Sequence, residues 1–240
     1  LVGNPVMHHL LLGIDPVELG GAPFALAVDT AVEIRASELG LGVNKGARVY
    51  VLPCIAGHVG ADAAGVVLAE APQKAEINTL VVDVGTNAEI VVGNSKRMLA
   101  ASSPTGPAFE GAQISSGQRA APGAIERIRI DKDTLEPCFR VIGVEQWSNE
   151  DGFADAVKSI GITGLGGSGI IEVLAEMYLS GILSTDGVID GTVAARSPRI
   201  EEDGRTFAYR VAENVVVTQN DVRAIQLAKA ALHALSLIHI

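Results

Sequence analysis

Apolar residues along this chain follow two spacings, and the shifts between them mark out its elements. From Thr79 to Gly93, two β-branched runs at 79–84 and 88–93 flank a polar turn of Gly85, Thr86 and Asn87. Runs of this kind around Gly-Thr-Asn predict a tight hairpin. Residues 97–101 predict a third strand and hence a meander. Upstream, Asn4 suits the cap of a helix running to Leu12, closed by Gly13. Residues 16–29, rich in Gly, Pro and Ala, read as a loop; 30–37 and 48–52 read as strands. The Ala- and Gly-rich stretch 60–70 predicts a closely packed helix. Downstream, 124–131 and 138–144 carry strand-like runs around Asp131-Lys132-Asp133. Residues 166–179 predict a helix closed by Gly181, and 206–217 two further strands. Thr218 or Asn220 opens a last helix reaching at least Ala234.

Polar stretches divide these elements. Pro72–Asn78 is the expected lobe boundary. Ser102–Gly123, dense in Gly, Ser and Pro, is too long for an idle connection and reads as functional. No internal repeat occurs.

Composition narrows the class. In 240 residues 48% are hydrophobic but only 4% aromatic, so Val, Ile, Leu and Ala must build the core. With 27 glycines, that suits an α/β fold with close helix–strand contacts. A net charge of −10 without a Lys/Arg cluster argues against a nucleic-acid partner. Cys54 and Cys138 lie far apart, so they form no zinc or iron–sulfur site alone; buried thiols in a reducing cytoplasm are expected. No run of about twenty apolar residues predicts a membrane span.

Candidate chemistry gathers at the hairpin turn. Asp83, Gly85, Thr86 and Asn87 place a carboxylate, a hydroxyl and backbone N–H groups at one point. Such a set can cradle a phosphate and hold a metal through water; an ordinary hairpin whose Asp and Asn satisfy the turn is the plainer reading. His8 and His9 are adjacent in a helix and make a poor metal pair. Gly164-Leu-Gly-Gly-Ser-Gly169 lacks dinucleotide-fingerprint spacing, and close helix–sheet packing explains its glycines better.

The Asp-x-Gly-Thr turn between strands resembles the phosphate loops of the actin-like ATPase superfamily. Longer stretches are similar to one branch of it. They are Asn4–Pro16, Leu52–Gly65, Gly106–Gln113, Gly161–Ile171 and Asp221–Ala231. That branch is the reductive activases of corrinoid proteins, and the resemblance runs in order over nearly the whole chain. It implies an α/β, actin-like (ribonuclease H-like) fold with two lobes, incomplete at both ends. Residues 1–75 would end the first lobe with its connecting helix, and 76–240 would form much of the second.

The resemblance also implies roles. Asp83 would hold Mg²⁺ through water, Gly85 would let the backbone approach ATP, and Thr86 and Asn87 would donate to phosphate oxygens. Asp62, or His58 nearby, would stand by the attacking water; a first-turn helix acid is the alternative for Asp62. Glu110 and Arg119 are weaker candidates for cleft and phosphate. Gln226 and Lys229, three apart on the last helix, would face adenosine, with Ala224, Leu227, Ala228 and Ala231 packed inward; an exposed solubilising lysine is the alternative for Lys229. The implied activity is ATP-dependent reduction of a cobalt(II) corrinoid protein to cobalt(I). The electron would come from an iron–sulfur cluster in an N-terminal domain absent here. The implied location is cytoplasmic, with a corrinoid protein as partner and the oligomeric state open, a homodimer included. As a fragment the chain would be a poor ATPase, and its hydrophobic ending, 235–240, departs from the family pattern. A small-molecule kinase of the same superfamily and a non-catalytic partner-binding module are the competing readings.

Overall fold

The computed structural model describes residues 1–238, with side-chain surroundings through residue 235. Of the ending 235–240, residues 239 and 240 therefore lie outside the described residues. The chain separates into two compact units: Leu1–Ser103 with the end of the last helix from His233, and Pro104–Leu232. This division by contact falls after the meander, whereas the expected lobe boundary falls before it.

In the first unit, α1 (Pro5–Leu11) starts where Asn4 caps it. The Asn4 side chain accepts the Met7 N–H at 2.9 Å, and Pro5 stands in the first turn, where no N–H is needed. His9 is buried and ties α1 to the following loop. Its Nδ1 lies 2.8 Å from the Pro5 carbonyl and its Nε2 accepts the Ala27 N–H at 3.0 Å. Since a carbonyl can only accept, the proton sits on Nδ1. His8 is equally buried, with both ring nitrogens unpaired among the described residues. Burial, helped by His9, holds its pKa below the usual histidine value.

Strands β1 (Val32–Arg35) and β2 (Arg48–Val51) pair antiparallel over a small core of Ala36, Val49 and Val51. Next comes α2 (Ala61–Glu70), whose Ala61 and Ala63 are buried. The meander follows: β3 (Thr79–Val84), β4 (Ala88–Gly93) and β5 (Met98–Ser103), in that spatial order. Its first hairpin runs in unbroken register from Thr79↔Gly93 to Val84↔Ala88, at the bounds expected from the β-branched runs. Gly93 makes the return possible. It has φ +150°, and a Cβ there would meet the Arg97 carbonyl oxygen at 2.1 Å.

The second unit holds β6 (Ala124–Ile130), β7 (Pro137–Val141), α3 (Phe153–Val157), β8 (Gly164–Leu165), α4 (Gly167–Leu179), β9 (Ile200–Asp203), β10 (Thr206–Ala212), β11 (Val215–Thr218) and α5 (Gln219–Ile238). One sheet is ordered β7-β6-β8 and the other β11-β10-β9. A single core cluster includes Ile125, Ile128, Leu165, Ile170, Met177 and Tyr209. Desolvation pushes the buried Tyr209 phenol far above its usual pKa; its hydroxyl donates to the Leu135 carbonyl at 2.9 Å.

The glycines opening α4 serve packing, as expected. A Cβ on Gly169 would meet the Ile125 carbonyl oxygen at 2.3 Å, and one on Gly167 the Phe109 carbonyl oxygen at 2.3 Å. Helix α4 also closes an open sheet edge. Glu172 accepts the Ile128 N–H at 2.7 Å and Glu176 the Ile130 N–H at 3.0 Å, while Arg129 donates to the Ile128 carbonyl at 2.6 Å. Two carboxylates one helical turn apart thus match two amides two residues apart on β6.

The long 102–123 segment is a structural seam. Leu165 N–H donates to Ser116 C=O at 2.7 Å and Gln118 N–H to Leu165 C=O at 2.9 Å, extending the β8 edge. On its other side, the Ser116 hydroxyl accepts from Val216 N–H and donates to Val216 C=O, both at 2.9 Å. One side chain therefore does for β11 what a neighbouring strand's backbone would do.

Three elements, α3, β8 and β9, have no counterpart in the sequence reading. One packing expectation fails: Leu227 is 73% exposed. The inward stripe of α5 is Val222, Ile225 and Ala228, and Leu227 lies about 200° round the helix from Ile225.

Candidate functional site

Helix α2 begins on Gly60, against the start of α1. A Cβ on Gly60 would meet Pro5 Cδ at 2.7 Å and Asn4 Cα at 2.9 Å, so only glycine fits. Asp62 then falls in the first turn of α2, half-buried, where a carboxylate is favoured by the helix dipole. Its N–H donates to Gly3 C=O at 3.1 Å, and its Oδ1 accepts the Ala63 N–H at 2.9 Å. Cys54 lies close by; burial pushes its thiol up, the Ala61 hydrogen bond opposes, and the Asp62 charge adds to the rise.

A cleft of about 190 Å³ opens at this point, lined by Asn4, Gly57, His58, Gly60, Asp62, Asn87 and Glu89 among others. His58 is exposed and stacks on Phe24, ring centroids 4.2 Å apart. The hairpin turn contributes Asn87; Gly85 N–H donates to Asn87 C=O at 2.9 Å and so closes the turn. Thr86 is exposed at the tip, and Asp83 is exposed at the end of β3.

Opposite Asp83 in the register stands Glu89, so the two carboxyls share one face of the sheet. Ser102, paired with Glu89 from β5, donates its hydroxyl to Glu89 Oε1 at 3.0 Å. Burial pushes the Glu89 carboxyl above the ordinary glutamate value; the Ser102 hydrogen bond opposes, and the Asp62 and Asp83 charges push further up. Asp62, Asp83 and Glu89 therefore feel one field. None of the three forms an ion pair among the described residues.

Of the residues singled out in the sequence, His58, Asp62 and Asn87 share this cleft and Asp83 adjoins it through Glu89. Glu89 and Ser102 were missed. The signal was present, because a hairpin with a three-residue turn pairs Asp83 with the residue six further on. In the second unit, Gln226 is engaged locally: its Oε1 accepts from Arg223 at 2.7 Å and its Nε2 donates to Asp186 C=O at 3.3 Å. Lys229 is exposed on α5. Glu110 and Arg119 line a separate cavity of about 420 Å³ with Gly166, Gly167 and Ser168.

A sequence profile of the C-terminal domain of RACo, the ASKHA domain, matches residues 77–238, and one of the RACo middle region matches residues 1–75. The chain belongs to this family. Its fold is accordingly the actin-like ASKHA fold. The corrinoid activation enzyme RamQ of Eubacterium limosum is 32% identical over 244 residues, 96% of this chain and 38% of that protein. The [Co(II) methylated amine-specific corrinoid protein] reductase of Methanosarcina barkeri is 28% identical over 194 residues, 73% of this chain and 35% of that protein. Among solved structures, a reductive activator for corrinoid, iron-sulfur protein superposes with a TM-score of 0.79 at 32% identity, covering 96% of this chain and 35% of that one. This RACo-family chain thus spans little more than a third of each relative's length. No described helix is long and apolar enough to cross a membrane.

Proposed function

We propose that this chain carries ATP-handling parts of a reductive activator, which uses ATP to return a cobalt(II) corrinoid protein to cobalt(I). The reading is supported most by one observation in a chain of the RACo family. A paired hairpin carries Asp83 and Asn87 at its turn, beside a cleft that Asp62 enters from α2. Carboxylate and amide oxygens are the hard donors that suit Mg²⁺. Among the described residues no three acid, imidazole or thiol side chains converge closely enough to hold a metal directly. Contact through water suits that spacing, since Mg²⁺ usually keeps several of its waters.

In this reading Asp83 holds the magnesium of MgATP through water, Gly85 admits the phosphates to the backbone, and Thr86 and Asn87 donate to their oxygens. Asp62 orients the attacking water, and positioning of this kind is most of phosphoryl-transfer catalysis. Bound magnesium supplies neutralisation of charge on the phosphate oxygens. Lys229, exposed on α5, is available to nucleotide, whereas the Gln226 amide is already engaged.

ATP drives the reduction by binding one state of the activator–corrinoid complex more tightly than the other. Taking a two-state equilibrium from 1:99 to 99:1 requires about 10⁴-fold preference, about 5.5 kcal/mol. The electron comes from an iron–sulfur domain outside this chain. Free thiols at Cys54 and Cys138 fit a cytoplasmic location.

The test uses the full-length protein mixed with a corrinoid protein and a reductant. ATP turnover and the absorbance of the cobalt(I) corrinoid are followed together. Asp83→Asn should abolish both while leaving the circular dichroism spectrum unchanged. Wild-type rates in that variant would sink the assignment.

A further inference from the structure

Glu89 has no role in the reading above, yet its carboxylate is held by a hydrogen bond from Ser102 on the neighbouring strand. It lies across the ladder from Asp83, where directly opposed side chains stand about 5 Å apart and like charges destabilise the sheet. It lines the same cleft as Asp62 and Asn87. No basic side chain pairs with Asp62, Asp83 or Glu89 among the described residues, so a bound divalent cation would relieve their repulsion. Ser102 fixes the Glu89 carboxylate from the third strand with a 3.0 Å hydrogen bond.

We propose that Glu89, oriented by Ser102, is a second carboxylate anchoring the water shell of the nucleotide-bound divalent cation, with Ser102 as its positioning residue. This rests on the phosphate-turn reading of Asp83. Glu89 works through water, because the acids do not converge closely enough to ligate directly. Its charge then acts in opposite senses on the two forms of the ligand. It attracts the metal complex and repels the metal-free polyphosphate. A residue that merely supported the fold would weaken both.

The experiment is calorimetric binding of ADP to the full-length protein with and without Mg²⁺, for wild type, Glu89→Gln, Ser102→Ala, Ser102→Thr and Asp83→Asn. In Glu89→Gln the tightening of ADP binding by Mg²⁺ should shrink about fivefold, the size expected for one charge acting across a water. Metal-free affinity should stay level or rise. Ser102→Ala should shift the same ratio about two- to threefold, the share of one hydrogen bond. Ser102→Thr, which restores the hydroxyl on a strand, should recover it. Glu89→Gln with a wild-type Mg²⁺ effect, or with equal weakening in both conditions, overturns the proposal. If Glu89→Gln does not fold, the Ser102 pair decides in the same terms. An Mg²⁺ effect lost in Asp83→Asn but kept in Glu89→Gln would refute the role of Glu89 alone. No Mg²⁺ effect in wild type would refute the phosphate-turn reading itself.

Discussion

Asp221 opens α5 as a buried carboxylate that accepts four hydrogen bonds, and removing it should cost far more than a helix cap. Oδ2 accepts Thr218 N–H at 2.8 Å and Thr218 Oγ–H at 2.9 Å, and the Asp221 N–H returns to Thr218 Oγ1 at 3.2 Å. That reciprocal box is worth about 1 kcal/mol. Oδ1 accepts Ser115 N–H at 2.7 Å and Ser115 Oγ–H at 3.1 Å, tethering the seam segment from 106 residues away. In Asp221→Ala the hydroxyls can turn elsewhere, but two backbone N–H groups lose an acceptor that is itself only 2% exposed. At about 1–3 kcal/mol for each stranded donor, the loss should be about 3–5 kcal/mol, a large share of a domain's usual 5–15. Asp221→Asn keeps one acceptor and turns an amide NH₂ on the other N–H, so it should fall between wild type and alanine. A chain of two units need not unfold in one step. Hydrogen exchange read at 115–118, alongside urea melts, isolates the effect. A loss of about 1 kcal/mol or less, with unchanged exchange at Ser115, would show that Asp221 only caps α5 and that the tether carries no weight.

Gly169→Ala should destabilise the second unit by about 1–3 kcal/mol, because the new methyl meets a backbone carbonyl that cannot swing away; urea melts of this variant beside Gly181→Ala check it. Burial opposes ionisation of Glu172, but Ile128 N–H, Arg129 and Arg127 together hold its pKa below the ordinary glutamate value. A depressed carboxyl stabilises the fold above its unfolded pKa and loses that contribution as pH falls through the folded value. Stability should therefore drop more steeply below pH 4.5 in wild type than in Glu172→Gln, measured as urea midpoint against pH. Lys229→Ala should change stability by less than about 0.5 kcal/mol while weakening ATP binding by the full-length protein, and unchanged binding would remove Lys229 from the nucleotide contacts.

The sequence exposed those parts of the fold whose causes are local. The hairpin bounds follow from β-branched residues around one polar turn, and the start of α5 follows from a Thr-x-x-Asp box. Parts set by distant partners were hidden. Strand β8 is two residues long and exists because Ile125 and the 116–118 segment lie beside it. Strand β9, Ile-Glu-Glu-Asp, buries one residue fully and is held by pairing to β10. The Ser102–Gly123 segment announced importance by its length, yet within it the Ser116 hydroxyl acts as a backbone substitute. At the candidate site, Asp62, Asp83 and Asn87 were readable as residue types in a turn and a first helical turn. Glu89 became visible only through strand register, and Ser102 only through the third strand.

The two carboxylates on the β6 edge bear on how this chain behaves in company. An open strand rich in Ile with free amides invites another chain to pair with it, the first step toward aggregation. Glu172 and Glu176 occupy the two amides that an incoming strand would need, and they present negative charge to it. The contacts that seat α4 on its sheet therefore also keep separate molecules apart. Acid or mutation at these glutamates would open a route to insoluble assemblies even while most of the core stays folded.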